Sequence, residues 1–291
     1  RLFNTLVASY KSQDDALRHF IQAYLASVAS VDEQIGRILD AVDNSSLKDN
    51  TIIVLTSDHG WGMGEKDFLY KNSLWQESTR VPLIIRAPGV GKAQSVSPQP
   101  VSLIDIYPTL VDLCGLSKET RKNEKGHSLD GHSLKPLLEN PERGDWSGPD
   151  SALTALYIWR MKYDPAKENY TLRAKDWRYI RYANGKEELY FTKDDPHEWT
   201  NLAGDSVHAK TLGVFRQELK SRIPPAGSGL PPQPPFKPKS PTSNKPDLKQ
   251  AAEVWKDKYF TKHPAADVNK DGKLSWQEHK TYRAKFDPPK K

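Results

Sequence analysis

Apolar residues recur every three or four positions over residues 14–43, which predicts a long amphipathic helix. Ser12, with Asp15 three residues later, is typical of a helix N-cap. After a polar turn, the pattern changes to a continuous apolar, β-branched run at residues 52–55. Such a run is typical of a strand buried on both faces of a parallel sheet. We therefore expect an α/β fold in which a right-handed crossover joins this helix to this strand.

A second strand and helix follow. Residues 82–87 read as a short apolar strand that ends at a Pro-Gly pair. Residues 104–114 predict a helix, with Pro108 near its true start and Gly115 as its stop. Cys114, near the helix end, is expected to be a small packed apolar residue.

Shorter β-type runs then occur at residues 152–159, 177–182 and 187–192. The last two flank Asn184 and Gly185, a strong hairpin signal. We expect a small antiparallel sheet, closed by a helix at residues 205–222. Its many aromatic residues suit sheet packing, with sugar stacking as the alternative.

The tail has a different composition. Residues 223–246 are rich in proline and predict an extended linker. Residues 267–278 match the calcium-binding loop of an EF-hand, with predicted flanking helices. The predicted ligands are Asp267, Asn269, Asp271, Lys273 through its carbonyl, Ser275 and Glu278. The alternative is a decayed loop kept as a helical hairpin. The expected domains are residues 1–145, 146–222, 223–246 and 247–291.

Candidate chemistry lies directly after the 52–55 strand, where Asp58 and His59 stand side by side. The carboxyl end of a parallel strand is where open α/β sheets bind ligands, and both side chains ligate metals. Glycines at positions 60, 62 and 64 would let the backbone approach a ligand closely, and Lys66 and Lys71 add positive charge. This pattern favours a metal-dependent site for an anionic ester. A buried strand that ends in an Asp-turn with a loop histidine is the alternative.

Composition narrows the choice of partner. The 291 residues carry 43 basic and 37 acidic side chains, a net charge of +6. Clusters of basic residues interleaved with aromatics, as in nucleic-acid surfaces, are not evident, and a basic balance equally suits an anionic substrate. The single cysteine excludes an intrachain disulfide, and the sequence contains no membrane-spanning run or signal peptide.

Several segments follow one another in a recognisable order. The first are TSDHG-W-x-x-GE and the following lysine, then ESxRVPLIIRAPGV at residues 77–90. The others are AYLASVASVDEQIGRILDAVD at 23–43, VSLIDIYPTLVDLCGL at 101–116, LDGHSLKPLL at 129–138 and ELYFTKDDPHEWTNLA at 188–203. Together they resemble the sulfatase family of the alkaline phosphatase superfamily, in particular its iduronate-2-sulfatase and choline-sulfatase branch. The likeness implies part of an alkaline-phosphatase-like sandwich with a small antiparallel C-terminal subdomain, followed here by the EF-hand module.

The resemblance also implies roles. Asp58 and His59 would be two ligands of an active-site calcium ion, and Lys71 would contact the sulfate group. The family nucleophile is a formylglycine made within a Cys/Ser-x-Pro-x-Arg motif, which this sequence lacks. Lys66 and Asp67 stand where many relatives carry His-Gly, a departure that bears on substrate recognition.

We therefore expect the C-terminal portion of a longer sulfatase, inactive alone, that acts on a sulfated carbohydrate or similar organic sulfate in the periplasm or outside the cell. A phosphate or phosphonate ester hydrolase of the same superfamily and a non-catalytic calcium-binding remnant are the alternatives.

Overall fold

The structure is a computed structural model that forms two compact units, Arg1–Pro231 and Pro232–Lys291. It describes residues 2–121, 123, 126–142, 145–157 and 164–225 of the first unit, and residues 261, 264–267, 270, 275, 278 and 281 of the second. Most of the predicted linker, both predicted EF-hand helices except single positions, and the loop residues Asn269, Asp271 and Lys273 lie outside this range. None of the described helices combines the length and the apolar character needed to cross a bilayer.

The first unit contains six α-helices and eight strands among its described residues. The helices are α1 (Leu2–Ala8), α2 (Gln13–Asp43), α3 (Gln76–Thr79), α4 (Ile106–Leu113), α5 (Lys135–Glu139) and α6 (Ala209–Arg222). The strands are β1 (Ile53–Thr56), β2 (Gly62–Met63), β3 (Leu69–Tyr70), β4 (Leu83–Arg86), β5 (Ala152–Leu156), β6 (Asn169–Arg173), β7 (Trp177–Arg181) and β8 (Glu187–Phe191).

Helix α2 confirms the predicted long helix, and Ser12 caps it by accepting a hydrogen bond from the Asp15 N–H at 3.1 Å. Ala16 is its one fully buried residue among those described. The apolar stripe is instead largely exposed over its length. The exposed members are Ile21, Tyr24, Leu25, Val28, Val31 and Ile38.

The expected parallel sheet is not formed, and that expectation is wrong for the described residues. Strand β1 pairs with β4 in an antiparallel two-stranded ribbon, with Val54 opposite Ile85. Its residues are half-buried or exposed rather than buried on both faces. An apolar run predicts a strand, but it does not predict whether the neighbouring strand is parallel or antiparallel.

The C-terminal part of the first unit is an antiparallel meander in the order β5-β6-β7-β8. The predicted hairpin joins β7 and β8, and Gly185 adopts the left-handed conformation at its turn, with φ of 82°. Strand β6 was not predicted, although its sequence NYTLR alternates polar and apolar residues. One face of the sheet packs on α6 through Tyr179, Leu189 and Phe215, and Tyr179 therefore serves packing.

The opposite face of the same two strands packs on the loop before α3. Ile180 and Tyr190, each one position from the residues that face α6, form a second core cluster with Leu74. Because side chains alternate along a strand, the meander is sandwiched between α6 and the segment that carries Lys71.

Helix α4 ends as predicted, with Gly115 in the left-handed conformation and its N–H bonded to the Asp112 carbonyl at 3.2 Å. The Leu116 N–H bonds to the Val111 carbonyl at 2.9 Å, which completes a Schellman cap. Cys114, at this cap, is exposed, so the expectation that it is packed is wrong. The buried side of α4 carries Thr109 and Val111 instead.

Candidate active site

Asp58 and His59 follow β1 and are fixed in place by their glycine neighbour. The Gly60 N–H donates to the Ser78 carbonyl at 2.9 Å, which brings α3 directly against the end of β1. A Cβ atom at Gly60 would lie 1.9 Å from the Glu77 carbonyl oxygen, so only glycine fits there. Gly64 likewise lies against Leu17 of α2. Gly60 and Gly64 therefore allow close contact with other parts of the protein, and the expected approach of this backbone to a ligand stays a prediction.

The His59 ring is oriented by two hydrogen bonds. Its Nδ1 lies 2.8 Å from the Gly60 carbonyl, which can only accept, so Nδ1 carries the proton. Its Nε2 lies 2.9 Å from Nζ of Lys71, an ammonium that can only donate, so Nε2 is the acceptor. The structure therefore brings the Lys71 ammonium onto the Nε2 lone pair of His59.

Asp58 supplies a second electron-pair donor beside this imidazole. Its Oδ2 lies 3.4 Å from His59 Nε2, and 83% of its side chain is exposed. Because Nε2 is an acceptor, the contact between Asp58 and His59 is not an ion pair. Instead, it brings together two atoms that can each ligate a metal. Two such atoms fit a shared divalent cation. A calcium ion takes six to eight oxygen ligands, so Asp58 and His59 would form part of its shell. Among the described residues, no group of three or more His, Cys, Asp or Glu side chains could hold a metal ion.

Asp58, His59 and Lys71 line an open cleft of about 1750 Å³. Asp58 is the one acidic residue in its lining among the residues that the structure describes. The basic residues are Lys71, Arg80, Arg86, Lys92, Arg173, Lys175 and Arg178. Two of these are neutralised, since Arg86 pairs with Asp43 at 2.7 Å and Arg178 pairs with Glu198. The remaining positive charge suits an anionic ligand.

Burial also changes the pKa of a carboxyl group beside the site. Removal from water raises the pKa of Glu77, whose carbonyl touches Gly60, and the negative charges of Glu198 and Glu65 act in the same direction.

The hairpin between His59 and Lys71 has an unusual backbone. Lys66, Asp67 and Tyr70 all have positive φ, at 53°, 54° and 107°. Conformations of this kind cost on the order of 1–3 kcal/mol each in non-glycine residues and persist where surrounding contacts enforce them. The Tyr70 ring packs edge-on against Trp61 at 5.0 Å.

Lys66 does not join the cluster of Asp58, His59 and Lys71. Its ammonium lies over the rings of Trp75, Tyr190 and Trp199, at 5.5, 5.7 and 4.4 Å from their centroids. We call these three rings the aromatic cage. The same ammonium donates to the carbonyls of His197 and Glu198, residues of the C-terminal subdomain.

Two further histidines weighed in the sequence also lie apart from this cluster. His132 donates its backbone N–H to the Asp105 carboxylate at 2.8 Å, and its ring packs on Trp146. His127 is exposed. The DGHSL segment thus docks onto the start of α4, because Asp105 also accepts from the Ser102 N–H at 2.8 Å.

In the second unit, three of the predicted calcium-loop ligands are described. The Glu278 carboxylate accepts from the Ser275 hydroxyl at 2.7 Å and its N–H at 2.9 Å, and the Glu278 N–H donates back to that hydroxyl. This reciprocal pattern is a capping box, which is typical of a helix N-terminus, and Glu278 itself is helical. Asp267 follows a short turn at Pro264–Ala266.

Sequence reasoning missed the buried pair of Arg178 and Glu198, whose side chains are 1% and 0% exposed. The Glu198 carboxylate also accepts the Gln76 N–H at 3.0 Å, and Arg178 donates to the Leu74 carbonyl at 3.2 Å. The sequence does show this arginine and this glutamate as charged residues within otherwise apolar or turn segments. No local pattern, however, indicates that the two side chains pair.

Comparison with known proteins gives two family matches. The sulfatase family model matches residues 3–116, and the model of the N-sulphoglucosamine sulphohydrolase C-terminal region matches residues 64–224. The second match covers more than half of the chain.

Individual relatives agree. An N-acetylglucosamine-6-O-sulfatase of Bacteroides thetaiotaomicron is 36% identical over 70% of this chain and 35% of its own length. A solved structure of a protein in complex with its substrate D-glucosamine-2-N,6-O-disulfate matches with a TM-score of 0.61 at 33% identity, over 72% of this chain and 41% of that one. A phosphonate monoester hydrolase of Agrobacterium radiobacter matches with a TM-score of 0.56 at 33% identity, over 67% and 39%. The chain spans about a third of the length of the curated relatives it matches, 36% and 35% for the first two.

Proposed function

Because the chain belongs to the sulfatase family, we propose that it forms part of a sulfuric ester hydrolase whose substrate is a sulfated carbohydrate. The observation that carries the proposal is the convergence of a carboxylate, an imidazole and an ammonium at the end of β1. Lys71 Nζ lies 2.9 Å from His59 Nε2, which lies 3.4 Å from Asp58 Oδ2.

In this proposal, Lys71 and the pair of Asp58 and His59 have separate roles in binding a sulfate ester. Lys71 donates hydrogen bonds to the sulfate oxygens and offsets the charge that develops as the ester bond breaks. Asp58 and His59 would hold a calcium ion, which when bound supplies positive charge to the same oxygens. The Gly60 carbonyl keeps the His59 proton on Nδ1, so that Nε2 faces the cation with a lone pair.

Metal binding separates these roles without an activity assay. Asp58→Ala removes a charged ligand, whereas Lys71→Ala removes a competing ammonium from His59 Nε2 and no ligand. Calcium content of the complete gene product after dialysis should therefore fall in Asp58→Ala and be retained in Lys71→Ala. Equal calcium retention in the two variants would argue against the assignment of Asp58.

The substrate class rests on the charge of the cleft and on the relatives. An excess of lysine and arginine over Asp58 in the lining favours a substrate with more than one anionic group. Relatives named for sulfated glucosamine substrates support a carbohydrate as the leaving group.

A phosphonate or phosphate ester hydrolase is the second candidate, because phosphonate monoester hydrolases match this chain at 33% and 28% identity. Rates of the complete gene product on 4-nitrophenyl sulfate, 4-nitrophenyl phosphate and 4-nitrophenyl phenylphosphonate discriminate the two. We expect the highest kcat/KM for the sulfate. A phenylphosphonate rate well above the sulfate rate would establish the second candidate instead.

For the tail, we propose a calcium site formed by Asp267, Asn269, Asp271, the Lys273 carbonyl, Ser275 and Glu278. The support is the loop spacing and the capping box between Ser275 and Glu278. An EF-hand of the extracellular kind binds calcium with a dissociation constant on the order of 10⁻⁴–10⁻³ M. An extracellular or periplasmic location of the protein would provide calcium at such concentrations.

Calorimetric titration of the chain with calcium tests this site. Glu278→Gln removes the bidentate carboxylate and should weaken the binding most, while Glu142→Gln, an exposed glutamate of the other unit, is the matched control. Identical isotherms for wild type and Glu278→Gln would leave the decayed-loop alternative standing.

A further inference from the structure

The segment that carries Lys71 is held at both ends by one turn of the C-terminal subdomain. Lys66 precedes Lys71 by five residues and Gln76 follows it by five. Both contact residues 196–198 of the turn that follows β8, which we call the 195–199 turn. Lys71 therefore lies midway between two attachments to the same short stretch of chain.

The first attachment is an ammonium bound in the aromatic cage. Lys66 is half-buried, and its Nζ lies 4.4 Å from the centroid of the Trp199 ring. It donates to the His197 carbonyl at 3.2 Å and to the Glu198 carbonyl. Two carbonyl acceptors and three aromatic faces are the groups that bind an ammonium well, so the contact depends on the charge of Lys66.

The second attachment runs through the buried pair of Arg178 and Glu198. The Glu198 carboxylate accepts the Gln76 N–H at 3.0 Å, and Arg178 donates to the Leu74 carbonyl at 3.2 Å. The Gln76 side chain adds a bond to the Pro196 carbonyl at 3.1 Å. Because Arg178 and Glu198 are both fully buried, they fix this end of the segment against the interior of the meander.

Between these attachments the backbone is strained, which explains why external contacts are needed. Lys66, Asp67 and Tyr70 have positive φ. A segment with three such residues does not keep its shape through its own local preferences. Strand β3 contributes two residues to its ribbon with β2, so few ladder bonds are available to hold it.

We propose that Lys66 and Glu198 are positioning residues that hold the backbone of Lys71 beside the end of β1, so that the C-terminal subdomain determines the geometry of the active-site lysine. Neither residue lines the cleft that Lys71 lines; each acts through the backbone of residues 66–76. Lys66 stands where the family pattern has a histidine. Its ammonium binds groups of the protein itself. The inference rests on the proposed function for its catalytic meaning but not for its geometry.

Competitive acylation of lysines tests the geometry directly in the chain as it exists. The labelling of Lys71 is measured by mass spectrometry relative to that of Lys118, an exposed lysine. Lys66→Met keeps the length of the side chain and removes its charge, Lys66→Arg keeps a cation that stacks on aromatic rings, and Lys193→Met removes an exposed lysine next to the same turn. Hydrogen exchange of β6 and β7 in each variant reports on global stability.

We expect the relative labelling of Lys71 to rise several-fold in Lys66→Met, to return towards the wild-type value in Lys66→Arg, and to stay unchanged in Lys193→Met. Amides of residues 69–76 should exchange faster in Lys66→Met while those of β6 and β7 do not. Wild-type labelling of Lys71 in Lys66→Met would overturn the proposal, and so would a matching acceleration in β6 and β7. Glu198→Gln should repeat the Lys66→Met result where it folds; the Lys66 variants decide the question by themselves.

Because acylation reports the accessibility and environment of the Lys71 amine and requires no sulfate ester, this result is separate from that of the hydrolysis assays. A positive labelling result, together with no sulfate ester hydrolysis by the complete gene product, would retain the positioning role and reject the proposed reaction.

Discussion

At the scale of single residues, the buried ion pair of Arg178 and Glu198 decides how the C-terminal sheet meets the active-site loop. Both side chains are almost completely removed from water, and each also bonds to the backbone around α3. A buried pair contributes little net stability compared with an apolar pair, but breaking it leaves one charge without its partner.

We expect Arg178→Met to lower the free energy of unfolding by about 3–5 kcal/mol, because the Glu198 carboxylate stays buried without its cation. The double variant Arg178→Met/Glu198→Gln removes the stranded charge and should recover part of this loss. Urea unfolding followed by circular dichroism measures both. A single-variant loss below about 1 kcal/mol, typical of an exposed pair, would show that water reaches Glu198.

Single residues also show what the sequence could and could not predict about the site. Asp58, His59 and Lys71 were identified because they lie within one short stretch that starts at a recognisable strand. Their metal and sulfate roles remain predictions. The partners of Lys66 were not predictable, because two of the three rings of the aromatic cage, Tyr190 and Trp199, lie more than a hundred positions away.

At the scale of elements, α2 is the longest element among the described residues, and one side chain caps its N-terminus. The Ser12 hydroxyl accepts the Asp15 N–H at 3.1 Å. Ser12→Ala should therefore destabilise the chain by about 0.5–2 kcal/mol. Ser27→Ala is the matched control: Ser27 lies mid-helix and bonds back to the Ala23 carbonyl, so alanine there should be neutral or slightly stabilising. Equal unfolding midpoints for the two variants in urea would contradict the cap.

The attachment of α6 to the meander predicts a pH dependence. Hydrogen bonds from the Arg216 guanidinium are the largest cause of a lowered pKa at Glu187, and the Tyr179 hydroxyl, which donates at 2.5 Å, lowers it further. A carboxyl with a lowered pKa adds stability above its ordinary value of 4.5 and loses that stability as the pH falls through the lowered value.

Arg216→Met removes this contribution, so the stability difference from wild type should be constant near neutral pH and shrink below pH 4.5. Because 54% of the Arg216 side chain is exposed, we expect the difference to be small and sensitive to salt. Urea midpoints at neutral and acid pH measure it. A difference that grows on acidification would mean that another group is responsible.

Elements with a strong local signal were predicted well, and those that depend on partners were not. The periodicity of α2 and the Asn184-Gly185 turn each fix a structure by themselves. The direction of β1 was predicted wrongly, because its apolar run suits a parallel neighbour but its partner among the described residues is the antiparallel β4. Strand β6 is an exception: NYTLR alternates polar and apolar residues over five positions, but this short local signal was missed.

At the scale of the whole molecule, the chain spans about a third of its relatives' length and lacks the Cys/Ser-x-Pro-x-Arg motif. We therefore expect the chain by itself to hydrolyse no sulfate ester, because loss of the nucleophile removes many orders of magnitude in rate. The purified chain assayed on 4-nitrophenyl sulfate tests this. Turnover that disappears in its Asp58→Ala variant would contradict it.

The central claim, that the end of β1 and the following hairpin form a sulfate ester site, is tested most directly by the kcat/KM of the complete gene product on 4-nitrocatechol sulfate. Lys71→Ala should lower it by roughly 10²–10³-fold, because one preorganised donor to the developing charge is lost. Lys193→Ala, an exposed lysine outside the cleft, should leave it unchanged. Wild-type kcat/KM in Lys71→Ala would contradict the claim.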